Sequence, residues 1–425
     1  MKISFGKLSL SRLVIFIILI AMYSIGTITA FFSTWIITLL LLLLSFAMIF
    51  LKHWLVGKWT MSNIVVSWMI LSVLCLIGAI RGSALTDISF YFICLSLLLM
   101  GGELSFDAMF HSLRWVKFFG LFFAFGCYWQ YLFPDRYYAI LYPLFDEKYQ
   151  DSIRRQFTNH KMCPGFTFQT AVTAQFIILG IMVVLYLYYQ NITKKEKTCS
   201  IFELAFLFGG LLLTGKRSPI VVLPVVIIFV DMLTTKRSKK VKRLLTISIF
   251  IIVIFVLLYF LSPLLSESRN SISRLLEYSF DSVEDLETAS NGRFNLASHA
   301  ISEFLKHPLF GIGWGNYAKL YNPAGAHNIY LQLLCECGMI GFLLAVSAMY
   351  YAFSCSIGIL KQLDKSDRTL ITLMKCSVFI QMYTFVYGLF GNPIYDQSYL
   401  LMYFWGLLIA IVCDYYQRSQ ARKKY

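Results

Sequence analysis

The sequence predicts an all-α polytopic integral membrane protein. It reads as a single polytopic domain over residues 1–425, with about twelve transmembrane helices and a long external loop that carries an amphipathic helix. Three observations predict it. Hydrophobic residues make up 58% of the 425 residues and charged residues only 14%, with a mean hydropathy of +0.69, which places the chain in the membrane class. The apolar residues come in runs near the roughly 20 that a spanning helix needs. The basic residues collect in alternate connections between those runs.

In chain order the expected spans are Leu13–Phe31, Thr34–Phe50, Met61–Ile80, Ile88–Gly101, Val116–Phe133 and Phe168–Gln190. They continue with Ile201–Thr214, Pro219–Leu233, Leu244–Leu261, His327–Leu360, Leu370–Phe390 and Ser398–Tyr416. MKISFGKLSLSR lacks a small-residue cleavage site and a second apolar run follows at once, so the N-terminus reads as a first span rather than a signal peptide. With that end inside, Lys2, Lys7, Arg12, Lys52, Lys58, Arg114, Lys117, Lys194, Lys195 and Lys197 face the cytoplasm. So do the Lys236–Arg243 cluster, Lys361, Lys365, Arg368, Lys375 and the C-terminal Arg418, Arg422, Lys423 and Lys424. These are most of the 37 cations, and most of the 22 acidic residues fall outside. The pattern puts both termini in the cytoplasm. It also accounts for the net charge of +15 without a nucleic-acid partner.

The ten cysteines sit mostly in apolar runs without metal-like spacing, and Cys335 and Cys337 diverge on a helix, so packing explains them. No carboxylate cluster resembles a divalent-metal site, and no cofactor is expected. No internal repeat stands out, which leaves an inverted-repeat transporter without support.

Two external loops emerge, residues 134–167 and 262–326. The second, after an acidic segment around Asp281–Glu287, leads into the densest motif of the chain. Leu296–Ala297, Ala300–Ile301 and Phe304–Leu305 recur at helical spacing, Ser290 or Asn291 can cap the start, and Pro308 ends the run. Arg293 precedes Leu296, Ala297 and Ala300 by three, four and seven residues, which places it on the buried face. The alternative is a basic residue at the edge of an interfacial helix. A lone inward cation needs an anionic partner. A glycine-rich turn, GIGWGNY, follows, and a second helix opens at His327.

Arg217 lies in the outer turn Lys216–Pro219, where Ser218 can cap a helix and Pro219 suits its first position. A guanidinium beside a helix N-terminus is an anion site; a snorkelling arginine touching headgroups is the alternative. Two such arginines suit a doubly charged ligand, and a pyrophosphate would fit. At a helix N-terminus the dipole and partial desolvation keep His327 a neutral base near pH 7. Asn328, Gln332 and Glu336 form a polar stripe at intervals of four, as expected where a helix faces a wet cavity. Gly313 and Gly315 either approach a phosphate or allow close packing. Arg81, Arg154 and Arg155 could add positive potential. Trp129, Trp314, Tyr317 and Tyr321 could stack on sugar rings or belong to an interfacial aromatic belt.

GRFNLASHAISEFLKHPLFGIGWGNY followed by AHNIYLQLLCECGMIG resembles the hallmark region of the O-antigen ligase and O-antigen polymerase superfamily, and TGKRSP at Thr214–Pro219 is similar to its upstream arginine motif. The resemblance implies a GT-C-like membrane glycosyltransferase at the external, periplasmic face of a bacterial cytoplasmic membrane. It would transfer a glycan from a polyprenyl-pyrophosphate-linked oligosaccharide to a sugar hydroxyl, without metal and with inversion. It implies that Arg217 and Arg293 hold the pyrophosphate and that His327 activates the acceptor; Arg81, Asn328, Gly313, Gly315 and Gln332 are expected around the substrate from their positions. The expected partners are the lipid-linked donor, the glycan acceptor, the bilayer and a chain-length regulator or flippase. Polymerisation of repeat units is the first expectation and ligation onto a lipid core the second. A transporter of lipid-linked sugars is a third reading, with only Glu336 and Lys375 as intramembrane charges to support it.

Overall fold

The computed structural model describes residues 2–24, 61–81, 85–190, 193–234, 292–321, 325–364 and 366–423, with Thr27 and Leu43 besides. Every regular element among the described residues is a helix. The chain divides into two units. The first comprises Met1–Ile17, Ile37–Met109 and Ser279–Tyr425; the second comprises Ile18–Ile36 and Phe110–Tyr278.

In the first unit α2 (Asn63–Arg81) packs against α3 (Leu85–Leu99) and the long α12 (Ile329–Gln362), while α13 (Arg368–Tyr387) packs against α14 (Gln397–Lys423). Aromatic side chains with one polar end fasten these helices. The Trp68 indole donates to the Tyr91 carbonyl at 2.9 Å, and the Tyr91 hydroxyl donates to the Ile394 carbonyl at 2.9 Å. Several helix hydroxyls and amides find partners inside the bundle, which offsets their burial away from water. Ser377 donates to the Gly406 carbonyl at 2.6 Å, and the Gln381 amide donates to Ser356 and Ser377. Helix α1 (Lys2–Ser24) begins in this unit and ends in the second.

The second unit holds most of α4 (Phe106–Leu132), then α5 (Pro134–Ile140), α6 (Glu147–His160), α7 (Thr170–Gln190), α8 (Lys194–Leu213) and α9 (Arg217–Thr234). Gly120 and Gly180 bring the backbones of α4 and α7 together: a Cβ on Gly120 would lie 2.6 Å from the Gly180 Cα. Such small-residue crossings are how membrane helices gain packing. The connection expected as an external loop at 134–167 is itself partly helical. Its α6 is polar, and the Asp146 side chain caps it by accepting from the Lys148 N–H.

Among the described residues four helices are long and apolar enough to cross a membrane: Thr170–Gln190, Ile329–Gln362, Arg368–Tyr387 and Gln397–Arg422. Ser11–Ser24 and Asn63–Gly78 are apolar but shorter. Helices also stand at the expected Ile88–Gly101, Val116–Phe133, Ile201–Thr214 and Pro219–Leu233, with shifted ends. Thr34–Phe50 (Leu43 apart), Leu244–Leu261 and the acidic segment at 281–287 lie outside the described residues. The molecule is an integral membrane protein with at least these four candidate spans.

Candidate active site

The glycine-rich turn is built against a break in α12. Gly338 has φ 66° and ψ −174°, outside helical values, and this opens the helix to a neighbouring chain segment. Met339 N–H then donates to the Pro308 carbonyl at 2.8 Å instead of to its own helix. On the other side of the break, Ile312 N–H donates to the Cys335 carbonyl at 3.0 Å and Gly313 N–H to the Glu336 carbonyl at 2.8 Å. Added Cβ atoms at Gly311 and Gly338 would strike the backbones of Glu336 and Leu309. Close backbone approach therefore accounts for this pair of glycines. Gly313 and Gly315 also have positive φ, 102° and 77°, and Gly315 precedes the short α11 (Asn316–Leu320).

Glu336 is the centre of this arrangement. Its side chain is 0% exposed. One carboxylate oxygen accepts from Gly315 N–H at 2.8 Å, and the other accepts from Tyr317 N–H at 3.1 Å and the Gln332 amide at 3.3 Å. The Gln332 oxygen in turn accepts from Ala326 N–H at 3.1 Å. Gln332, one of the residues expected around the substrate, links Glu336 to the loop backbone at Ala326. Beside Glu336, burial and then the carboxylate itself push the Tyr395 phenol well above its ordinary range. The Trp314 ring is buried, stacked on Tyr395 at 4.4 Å and edge-on to Tyr91 at 5.8 Å, so it packs the core rather than a sugar. Tyr317 is buried too, and its hydroxyl donates to the Leu296 carbonyl at 2.6 Å, while burial pushes the phenol up to about 12.

His327 stands one step outside the helix it was expected to open. Helix α12 begins at Ile329, and Asn328 is its cap, accepting from Tyr330 and Leu331 N–H at 3.0 and 3.1 Å. That capping role occupies the Asn328 oxygen. His327 takes the left-handed conformation, φ 53°, and is half-buried. Opposite it runs the connection between α13 and α14: Ile329 N–H donates to the Gly388 and Gly391 carbonyls, and Tyr330 hydroxyl to the Phe385 carbonyl at 2.7 Å. His327 thus sits on a fixed backbone, where two segments meet.

Arg293 begins α10 (Arg293–Lys306), capped by Gly292 at φ 79°; Ser290 and Asn291 lie outside the described residues. The expectation of a buried arginine does not hold, because Arg293 is exposed. The apolar stripe is wider than the contact it makes. Ala300 and Glu303 turn inward, whereas Phe294, Ile301 and Leu305 stay outside. Arg293 remains close enough to Tyr387, at the end of α13, to act on it electrostatically. On the inner flank of α10, Glu303 accepts from Lys306 at 2.7 Å and from the Tyr321 hydroxyl at 2.7 Å, and His299 stacks on Tyr321 at 4.7 Å.

Arg217 belongs to the second unit. It is the first residue of α9 and half-buried, following Gly215 at φ 70°. The helix starts two residues before Pro219, so Pro219 is its third residue rather than its first; within the first turn it still removes no intrahelical bond. Arg81 is the last residue of α2. Arg154 and Arg155 are exposed on α6. No group of three His, Cys, Asp or Glu that could hold a metal occurs among the described residues.

Sequence reading missed the holding role of Glu336 and the packing of Tyr395 on Trp314. The four-residue spacing from Gln332 marked Glu336 as inward, but only the fold reveals that loop amides are its partners. Tyr395 carried no signal at all.

The family described as O-antigen ligase matches residues 202–346, a stretch that takes in Arg217, Arg293, Gly313, Gly315, His327, Asn328 and Gln332. Curated proteins give no significant match to the chain. The match agrees with the resemblance carried by the motif and supports the O-antigen ligase and polymerase superfamily for residues 202–346.

Proposed function

We propose that this protein polymerises lipid-linked oligosaccharide repeat units, transferring a growing glycan from polyprenyl pyrophosphate to a sugar hydroxyl on the external face of a bacterial cytoplasmic membrane. The observation that carries the reading is the family match over 202–346, which contains both motif arginines and the motif histidine. The arginines suit the pyrophosphate leaving group: each guanidinium can donate two parallel hydrogen bonds to phosphate oxygens whose charge grows as the glycosidic bond breaks. His327 takes the proton of the acceptor hydroxyl as that oxygen attacks the anomeric carbon, in one inverting displacement. The exposure of Arg293 suits this role, since a donor arriving from the membrane must reach it. Asn328, Gln332 and the glycines act by shaping the frame under His327. Ligation onto a lipid core uses the same chemistry with another acceptor and is the second reading.

The test is a transfer assay in nanodiscs with a lipid-linked oligosaccharide. Polymerase activity gives a ladder of products from that substrate alone, and ligase activity gives one addition to a supplied lipid-core acceptor. Arg217→Lys and Arg293→Lys keep the charge but lose the fork, so each should weaken donor binding, turnover or both. Movement of the substrate across the bilayer without any new glycosidic bond would overturn both readings in favour of a transporter.

A further inference from the structure

A column of aromatic rings runs along α13 and ends on α14. Phe379 stacks with Tyr383 at 6.2 Å, Tyr383 with Tyr387 at 5.5 Å and Tyr387 with Tyr399 at 4.8 Å, at interplanar angles of 11°, 9° and 4°. Residues 379, 383 and 387 share one face of α13 because they recur every four positions. Near-parallel rings at these distances hold one another's orientation. Tyr387 is the last residue of α13, and the connection after it leaves room for the ring. A Cβ added to Gly391 would lie 2.7 Å from the Tyr387 Cε1 and 3.2 Å from its hydroxyl oxygen, so a side chain there would displace the ring.

The Tyr387 hydroxyl has half of its hydrogen-bonding capacity committed. It accepts from the Tyr399 hydroxyl at 3.0 Å, and a phenol can donate as well as accept. Among the described residues no group accepts the Tyr387 proton. Asp396 acts on Tyr387 electrostatically, but its Oδ1 accepts from the Ser398 N–H and hydroxyl at 2.9 and 2.6 Å. The bond from Tyr399 polarises the Tyr387 phenol and makes its remaining proton a better donor.

The surroundings indicate what that proton serves. Arg293, which is exposed, acts electrostatically on Tyr387. A guanidinium and a phenol proton together suit an anion with several acceptor oxygens. The connection holding Gly391 is also fixed to the start of α12. Ile329 N–H donates to the Gly388 and Gly391 carbonyls at 2.9 and 3.0 Å, and the Asn328 amide donates to the Leu389 carbonyl at 3.4 Å. The Tyr387 hydroxyl thus lies beside backbone tied to the two residues that follow His327.

We propose that Tyr387 is a donor-binding residue whose hydroxyl donates a hydrogen bond to a phosphate oxygen of the polyprenyl pyrophosphate that Arg293 holds. The identity of that anion rests on the glycan-transfer reading. Tyr399 is then a positioning residue, which aims the Tyr387 proton through the bond it donates.

The test measures binding of glycan-free polyprenyl pyrophosphate to the full-length protein in phosphatidylcholine nanodiscs by native mass spectrometry. Polyprenyl alcohol of the same chain length is the reference. Tyr387→Phe keeps the ring column and removes the hydroxyl, whereas Tyr399→Phe keeps the Tyr387 hydroxyl and breaks the same 3.0 Å bond. The expected result is about tenfold weaker pyrophosphate binding in Tyr387→Phe, with alcohol binding unchanged and Tyr399→Phe near the wild type. An equal loss in Tyr399→Phe would overturn the proposal by tracing the effect to the broken tyrosine pair. Unchanged binding in Tyr387→Phe, with Arg293→Lys weakened, would overturn it and leave the proposed function standing. A wild type with no preference for the pyrophosphate over the alcohol would overturn both, because bilayer phosphates would then satisfy the site.

Discussion

Glu336 is an ionisable group in a place where charge is expensive, and its partners explain why it is tolerated. Two backbone N–H groups of the glycine-rich turn and one amide N–H converge on its two oxygens. A buried carboxylate so surrounded is stabilised by hydrogen bonds in place of water. Removing it leaves those donors without an acceptor, at about 1–3 kcal/mol each. Glu336→Ala should therefore lower the melting temperature of the purified protein and speed amide exchange at Gly315 and Tyr317. Glu336→Gln keeps one acceptor oxygen and should fall between. Unchanged exchange at both amides would show that the carboxylate does not hold the turn. Residue identity alone gave half of this account: the stripe of Asn328, Gln332 and Glu336 is inward, but its members turn to backbone amides and not to a wet cavity. The reason is that the Gly338 break lets a second segment enter the helix at that level, and no periodicity announces a break.

Among the elements, α10 and α11 are joined by a polar tie as well as by packing. Glu303 is held below the usual carboxylate range, first by the hydrogen bond from Lys306 and then by that from Tyr321. Because the folded value is depressed, this contribution is complete above the ordinary value of 4.5 and is lost as pH falls through the folded one. Wild type and Glu303→Gln should thus differ in thermal stability at neutral pH and converge in the acid range below it. A difference that persists there would mean the carboxylate acts through shape and not through charge. The difference itself should be modest, since Lys306 is well exposed. Element positions were largely readable: α2, α7, α12 and α13 begin and end within a few residues of the apolar runs, because hydropathy is what selects them, while α14 begins at its run and continues past Tyr416 to Lys423. The orientation of α10 was not. Its apolar residues extend around more of the helix than the side that packs through Ala300 and Glu303, and sequence spacing cannot tell which part of a broad stripe makes the contact.

At the scale of the whole molecule, the placement of basic residues predicts that Lys240 and Lys365 are cytoplasmic and that Arg217, Arg293 and His327 are external. The length and apolarity of Ile329–Gln362 agree with His327 and Lys361 lying on opposite sides of the membrane. Single cysteines introduced at these positions, in a background without native thiols, should react with an impermeant reagent from outside at 293 and not at 240 or 365. The reverse pattern would invert the topology and remove the external site.

The central claim is that His327 does chemistry while the arginines hold the donor. An oriented general base contributes roughly 10²–10⁴-fold. The direct measurement is turnover of lipid-linked oligosaccharide by His327→Ala, with donor affinity determined separately on the same variant. The account predicts a collapse of turnover with donor binding near that of the wild type. Retained turnover, or a loss explained entirely by weaker donor binding, would contradict it and place His327 with the arginines as a phosphate ligand.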